Sequence, residues 1–338
     1  MKKLWKHSAK VISATTTAAV SSYIIFSFSS WGFSPHRELH AVAITALPSP
    51  IFDFFKCHQQ ELMMRSVDAD KRKHGVKQEA AKHYIDIDNY KDGISACGWF
   101  EACELYCEDT LKSRGILPWN IERVYKQLVI EMTNCGRQDS AAATLNRVIR
   151  LASDLGHYIG DAHVPLHTTS NYNGQLTGQT GIHSLWETHV YETSRSNWTG
   201  QKIEAVYIKD IRNWVWTRII SSHSKVHEVL YMERAVRERK GAPDVWGYRT
   251  RGRTLSLIPT PEFCAEYNDS LGGMVEERFY MAAEGIASVW YSAWVDAGAP
   301  DLKKDLLGPK KRNPISVLAH FFRELLPTLK EHAEEDQK

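Results

Sequence analysis

The sequence predicts an all-α fold. Apolar residues recur mostly at the spacing of an amphipathic helix, strand-like alternation is scarce, and neither an internal repeat nor a low-complexity segment is evident. The 338 residues are 43% hydrophobic and 24% charged and include only 12 Pro and 20 Gly, which excludes disordered and collagen-like chains. We therefore expect a globular protein with a single multi-helix domain and a C-terminal helical extension.

The first 30 residues have the composition of a targeting segment. Residues 1–10 contain four lysines, and residues 11–28 contain no charge and seven serines or threonines. A basic start followed by a moderately apolar stretch predicts a secretory signal, cleaved after Ser30. Because Phe28 departs from the small-residue cleavage pattern, an uncleaved N-terminal anchor is the alternative. We expect a secreted or periplasmic protein, held at a membrane if this segment is retained.

Capping signals and periodicity place the helices in order. Ser34 followed by Pro35 is an N-cap with proline at the first helical position, so a helix is expected from there to about Leu47, before Pro48. The Gly-, Asn- and Thr-rich stretch 168–181 is expected to be a loop, and such loops often carry function. Further helices are expected at residues 50–66, 99–112, 118–134, 140–162, 183–197, 205–239, 261–295 and 314–332.

The sequence predicts that the chain is divided into three segments. Residues 1–30 form the signal or anchor, and residues 31–300 form the helical domain. Residues 301–338 add a basic linker and a final amphipathic helix, a composition more typical of a solvated appendage than of a catalytic part.

Charge outside the targeting segment is nearly balanced. The remainder of the chain carries 38 basic and 40 acidic side chains, a net charge of −2. Proteins that bind DNA without regard to sequence usually carry a pronounced basic excess, so this balance gives weak support to a lipid or a small phosphodiester as ligand. No protein partner is evident.

Two histidine–carboxylate pairs have the spacing of helical metal ligands. His157 with Asp161, and His183 with Glu187, stand four residues apart, so each pair projects from one helix face. Imidazole and carboxylate suit zinc, although a single pair is equally a surface ion pair. His167 follows the first pair closely, and this concentration of ligand-type residues makes coincidence a poor explanation.

The remaining residues are candidate metal ligands only in combination with these two pairs. His83 lies among apolar neighbours, and alone it would be interpreted as a hydrogen-bonded core histidine. Asp68 and Asp70 precede it and alone would be interpreted as a capping or turn signal. His163, six residues after His157, points to another side of the helix and is interpreted as a non-ligand.

Together these residues resemble the zinc-dependent phospholipase C family and its single-strand-specific nuclease relatives. The resemblance covers the chain from Trp31 to about Ala299 and includes a final helix over residues 272–295. Its motifs are Trp31-Gly-Phe-Ser-Pro-His36, Asp68, His83-Tyr-Ile-Asp, His157-x3-Asp161-x5-His167 with Pro165-Leu166 between, and His183-Ser-x-x-Glu187.

The resemblance implies an all-α fold that holds three zinc ions in a cleft. The first ion would be bound by Asp68, His83, His157 and Asp161, and the second by His167, His183 and Glu187. The third would be bound by His36, by Asp161 as a bridge, and by the amino and carbonyl groups of Trp31, which proteolysis after Ser30 would expose. Asp68 and Asp70 both lie near the expected distance from His83, and the fifteen-residue separation favours Asp68.

A site of this kind implies hydrolysis of phosphodiesters by activated water, with Asp68 as ligand and proton acceptor and Asp161 as the second catalytic carboxylate. Glu187 and the sixteen-residue step from His167 to His183 resemble the phospholipases, whereas the close spacing of Trp31 and His36 resembles the nucleases. We expect a secreted phospholipase C-like hydrolase of a phospholipid or another phosphodiester. The alternatives are a single-strand-specific nuclease or nucleotidase acting on single-stranded nucleic acid, and a non-catalytic envelope protein that uses zinc structurally.

Overall fold

The computed structural model is mostly helical, with 70% helix and 4% strand, which confirms the all-α prediction at the level of fold class. It describes residues 33–91, 94–135, 141–251 and 254–302. The expected signal or anchor, Trp31 and nearly all of the expected C-terminal extension lie outside the described residues. Within those residues, no helix has both the length and the apolar character needed to cross a membrane.

Helices dominate the described residues from end to end. The helices are α1 (Phe33–Thr45), α2 (Ile51–Cys57), α3 (Gln59–Arg65), α4 (Asp68–Arg72), α5 (Trp99–Tyr106), α6 (Glu108–Ser113), α7 (Leu117–Asn134), α8 (Ala141–Ala162), α10 (Ile211–His223), α11 (Val226–Lys240), α12 (Ala242–Val245), α13 (Pro261–Ser270) and α14 (Met274–Asp296). Short 3-10 helices lie at Ala80–His83, Ile87–Asn89, Ile94–Ala96 and Pro165–Thr168.

The helical segment 182–197, which we label α9, changes its winding along its length. It passes from α-helix (Ile182–Ser184) through π-helix (Leu185–Val190) to α-helix (Tyr191–Ser194) and a 3-10 turn (Arg195–Asn197). Stretches of π-helix are uncommon and occur frequently at functional sites. Glu187 lies within the π-helical part.

Local signals divide several of the long helices that the sequence predicts. The helix expected at 205–239 begins only at Ile211, where the side chain of Asp210 accepts a hydrogen bond from the Asn213 amide at 3.0 Å. The helix expected at 261–295 is interrupted at Gly272 and Gly273, which adopt φ values of 60° and 85°. These backbone angles suit glycine and end α13 before α14 begins.

Between α12 and α13 the chain forms a β-hairpin, where the sequence predicts no element. Strand β1 (Trp246–Arg251) pairs antiparallel with β2 (Thr254–Pro259), and Tyr248 lies opposite Leu257. The hairpin is closed at its base by a hydrogen bond from the Thr260 amide to the Val245 carbonyl, at 3.0 Å.

Helix α8 is the centre of the larger of two apolar clusters in the described part of the chain. Helices α7, α14, α1 and α3 pack around it. Trp290 of α14 is fully buried there and donates its indole N–H to the Ala152 carbonyl at 3.0 Å. The smaller cluster lies between α9, α11 and α13 and includes Trp186, Val229 and Phe263.

Two glycines of α8 permit a close approach of α1. A Cβ at Gly156 would overlap the His40 imidazole, and a Cβ at Gly160 would lie 3.1 Å from the His36 ring. His40 is held in this contact by carbonyls on both helices, so it belongs to the core. The approach brings His36 next to Asp161, with 3.5 Å between Nε2 and Oδ1.

Candidate metal centre

Three groups of side chains could each hold a metal ion among the described residues, and they lie around the C-terminal half of α8. Within each group the ligand-type atoms lie within 4.8 Å of one another. We name them the central group (Asp70, His83, His157), the inner group (His36, His157, Asp161) and the outer group (His167, His183, Glu187).

The central group joins three separate segments. Asp70 comes from α4, His83 from the 3-10 helix Ala80–His83, and His157 from α8. His157 Nε2 lies 3.0 Å from His83 Nδ1, and Asp70 Oδ1 lies 3.5 Å from His157 Nε2 and 3.7 Å from His83 Nδ1. Both histidines are at most 1% exposed.

Asp70 takes the position in this group that the sequence spacing predicts for Asp68. The two residues are two positions apart on the short helix α4, so their side chains leave it in nearly opposite directions. Asp68 Oδ1 pairs with Lys71 Nζ at 2.9 Å, and its side chain is 39% exposed. The structure therefore places Asp70, and not Asp68, beside His83 and His157.

Asp161 lies between the groups and faces four histidines. Its Oδ2 lies 2.9 Å from His83 Nδ1 and 3.3 Å from His157 Nε2. Its Oδ1 lies 3.5 Å from His36 Nε2 and 3.9 Å from His167 Nε2. A carboxylate with each oxygen turned toward different imidazoles has the placement of a bridging ligand.

The outer group contains all three residues that the resemblance assigns to a second ion. His167 Nε2 lies 3.0 Å from Glu187 Oε1, and His183 Nε2 lies 3.1 Å from Glu187 Oε2. His167 is supplied by the 3-10 helix Pro165–Thr168, immediately after α8, and the other two by the start of α9. This group is less buried than the central group.

The inner group contains two of the three residues expected around a third ion. His36 lies beside Asp161 and stacks on His157, with ring centroids 4.0 Å apart. Trp31, the remaining expected ligand, lies outside the described residues. His163 is buried but belongs to none of the three groups, and its Nδ1 bonds the Ile159 carbonyl of the same helix at 2.8 Å.

The donor set fits divalent zinc, because backbone hydrogen bonds orient three imidazoles toward the groups. The Nδ1–H groups of His157, His167 and His183 donate to the carbonyls of Ser66, His83 and Tyr172, at 2.8, 2.5 and 3.3 Å. Each Nε2 is thereby left to face a carboxylate. Metal-binding histidines almost always have their other ring nitrogen hydrogen-bonded in this way.

Electrostatics also favour positive charge at the centre. Burial opposes a charge on His157, but the carboxylates of Asp161 and Asp70 outweigh it and raise the pKa of His157 to about 10. Burial alone would raise the pKa of Asp161, yet His157 and His167 hold it well below its usual range. In His36, burial and the charge of His157 dominate and lower the pKa to about 4. The carboxylates therefore attract a cation, whether a proton or a metal ion.

A pocket of about 450 Å³ opens beside the central and outer groups. Lys73 lines it, and its Nζ lies 2.7 Å from Asp70 Oδ1. Burial opposes the charge of Lys73, but Asp70 and Asp161 raise its pKa, so the ammonium remains protonated. Lys73 is a site residue that the sequence motifs do not include. Its position one helical turn after Asp70 is the sequence feature that could have indicated it. Other residues of the lining are His83, Tyr84, Asp86, His167, Tyr172, Asn173 and His183.

Behind the central group, a buried carboxylate ties together three of the segments that supply it. Glu79 is 1% exposed and directly precedes the 3-10 helix that ends at His83. It accepts hydrogen bonds from Tyr158 Oη at 2.7 Å and from Arg72 Nη2 at 3.1 Å. Arg72 belongs to α4 and Tyr158 to α8, so one side chain connects α4, α8 and the 3-10 helix.

We expect Glu79→Gln to lower the free energy of unfolding by about 3 kcal/mol at neutral pH. Burial would raise the pKa of Glu79, but hydrogen bonds from Lys82 and Tyr158 and the charge of Arg72 lower it from 4.5 to about 2. The ionised carboxylate therefore stabilises the fold fully above pH 4.5, and this contribution disappears as pH falls through about 2. Urea unfolding at several pH values measures the difference.

The matched control is Glu61→Gln, which removes a half-exposed carboxylate that pairs with Arg65 on the same helix. Its effect should stay below about 0.5 kcal/mol. A Glu79→Gln deficit that does not shrink between pH 7 and pH 3 would mean that packing, and not charge, explains the loss.

Comparison with known proteins identifies no family for this chain. No protein-family model matches it, and no curated protein matches it.

Proposed function

We propose that this chain is an exported, zinc-dependent hydrolase of phosphodiester bonds, with phospholipase C-like activity. The observation that carries the proposal is the shared orientation of His157, His167 and His183, each held by a backbone carbonyl with Nε2 toward a carboxylate. Core histidines have no need of converging carboxylates, whereas a cluster of metal ions does.

Under this proposal the three groups would hold three zinc ions. Asp70, His83 and His157 would hold one, with Asp161 as a further ligand, and the outer group would hold the second. His36 and Asp161 would hold the third, together with the amino terminus of Trp31 that removal of residues 1–30 would create. The outer group offers three protein ligands, and a zinc site with three protein ligands keeps a position open for catalysis, which argues against a purely structural role.

Zinc bound in these groups would lower the pKa of water to about 7 and neutralise charge on the phosphoryl oxygens. Asp70 accepts the proton of the attacking water at its carboxylate, the role that the sequence spacing predicts for Asp68. The ammonium of Lys73 faces the pocket beside Asp70 and attracts the anionic phosphate of the substrate. Asp161 hydrogen-bonds His83 and places its negative charge within 4 Å of three further imidazoles.

The pocket has the size of a small ligand or of one part of a larger one. Glu187 and the short step from His167 to His183 favour a phospholipid, as in the resemblance. Two tyrosines of the lining favour the second candidate, a single-strand-specific nuclease or nucleotidase. Tyr84 and the half-exposed Tyr172 supply aromatic faces on which a base can stack.

Hydrolysis of phosphatidylcholine and of single-stranded DNA, compared in one zinc-containing buffer, tests the proposal. We expect lipid turnover that a chelator abolishes and that added zinc restores, because the ligands bind the ion reversibly. The control is the same assay with Asp161→Asn. DNA hydrolysis without lipid hydrolysis would establish the second candidate. Stoichiometric zinc with turnover of neither substrate would contradict both and leave a structural role.

A further inference from the structure

A carboxylate on α1 is held by two side chains of α9. Glu38 Oε1 accepts a hydrogen bond from Arg195 Nε at 2.6 Å, and Glu38 Oε2 accepts one from the Tyr191 hydroxyl. Burial and the Glu38 carboxylate raise the pKa of Tyr191, so the phenol keeps its proton and donates to Glu38. Hydrogen bonds to a charged group are roughly twice as strong as neutral ones, so this contact ties the two helices together.

Aromatic rings fix both donors from behind. Tyr191 is 4% exposed, and its ring centroid lies 5.6 Å from that of Trp198 and 5.8 Å from that of Phe279 on α14. The Arg195 guanidinium lies over the same two rings, 5.1 and 5.8 Å from their centroids. Contacts of this kind restrict where each donor can lie. The position of Glu38 is therefore set by α9 as well as by its own helix.

Each of the two joined helices carries a candidate metal ligand close to this contact. His36 of the inner group lies two residues before Glu38, and Glu187 of the outer group lies four residues before Tyr191. Side chains four residues apart on a helix lie on the same side of it. His36, Glu187 and Tyr191 also line one cavity of about 50 Å³. The Glu38 contact therefore lies beside both groups.

Apolar packing between α1 and α9 is incomplete at this cavity. Leu39 of α1 and Trp186 of α9 line it, and the Trp186 indole N–H has no hydrogen-bond partner among the described residues. Side chains that face a void lose the dispersion contacts that would otherwise fix their spacing. His36 and Glu38 moreover lie in the first two turns of α1, and helix ends are where local opening begins. The Glu38 contact thus holds a helix end that packing holds only in part.

We propose that Glu38 is a positioning residue of the metal centre, which holds His36 in place by fixing the start of α1 against α9. This inference rests on the proposed function, because it assumes that the groups bind zinc. The inner group depends on α1, since His36 Nε2 must stay near Asp161 Oδ1, now 3.5 Å away. The outer group has no residue on α1. Loss of Glu38 should therefore weaken the inner group selectively.

Competitive titration with a chromophoric chelator, which resolves the affinity for each zinc ion, tests the positioning role. Glu38→Ala should weaken the ion that His36→Ala also loses by about tenfold to a hundredfold, and change the other two by no more than about twofold. The matched control is Glu266→Ala, which should keep all three affinities. The Glu266 side chain is 33% exposed, against 32% for Glu38, and it joins α13 to α11 by accepting from Arg239 Nε at 2.7 Å.

Tyr191→Phe serves as a milder second variant, because it removes only the hydroxyl and keeps the ring against Phe279. It should weaken the same ion about fivefold. Equal weakening of all three ions in Glu38→Ala would indicate a general loss of stability and overturn the positioning role, as would an unchanged inner ion. An unchanged chain that binds no zinc would contradict this role and the proposed function together. Three bound ions without turnover would count against hydrolysis alone, because the positioning role is judged by zinc affinity.

Discussion

Replacing Asp161 by asparagine is expected to remove zinc from the protein and to lower kcat/KM for phosphodiester hydrolysis by about a thousandfold or more. The residue is 1% exposed and faces His36, His83, His157 and His167 with its two oxygens. An asparagine keeps the size of the side chain but removes its charge, and it turns an N–H donor toward nitrogens that should bind metal.

Elemental analysis for zinc measures the first effect, and hydrolysis of whichever substrate the chain turns over, phosphatidylcholine or single-stranded DNA, measures the second. Asp154→Asn is the matched control, since Asp154 is a buried carboxylate on the same helix that pairs with Arg72 at 3.1 Å. This control should lose stability and keep its zinc. Full zinc content with normal activity in Asp161→Asn would refute the assignment of the centre.

The second large effect is expected at Asp70. Asp70→Asn should lower kcat by about a hundredfold to a thousandfold, because it removes the carboxylate that we propose as the proton acceptor. Asp68→Asn should change kcat by no more than about twofold, since Asp68 pairs with Lys71 and faces away from the histidines. The two variants have the same chemistry and lie on the same helix.

Zinc content separates two roles of Asp70. A fall in kcat much larger than the loss of zinc indicates a proton acceptor, whereas equal losses would reduce Asp70 to a ligand. A large fall in kcat for Asp68→Asn, together with a normal kcat for Asp70→Asn, would instead assign the proton acceptor to Asp68, as the fifteen-residue spacing favours.

The two histidine–carboxylate pairs of the metal centre could be predicted from sequence, because helix periodicity alone brings residues four apart together. His157 meets Asp161, and His183 meets Glu187, at distances of 3.3 and 3.1 Å. No tertiary information is needed for residues four apart on one helix. The helical fold class could be predicted for the same reason.

The choice between Asp68 and Asp70 could not be made from spacing. Helix α4 is five residues long, and the irregular segment after it decides which carboxylate faces His83. The connecting role of Glu79 was equally invisible, because it depends on partners from α4 and α8 that meet only in the folded chain.

The sequence does contain a signal for the hairpin. The alternation Leu255-Ser-Leu257 and the arginine- and glycine-containing turn sequence are typical of two short strands. The predominance of helical periodicity elsewhere concealed a segment whose apolar residues face outward rather than toward a core.

The contact between α1 and α8 determines how His36 approaches Asp161. An alanine in place of Gly160 would require the His36 ring to move by a few tenths of an ångström. His36 Nε2 lies 3.5 Å from Asp161 Oδ1, so such a movement would change this separation directly. The absence of a side chain at this helix crossing therefore makes the geometry of the inner group depend on how closely α1 packs on α8.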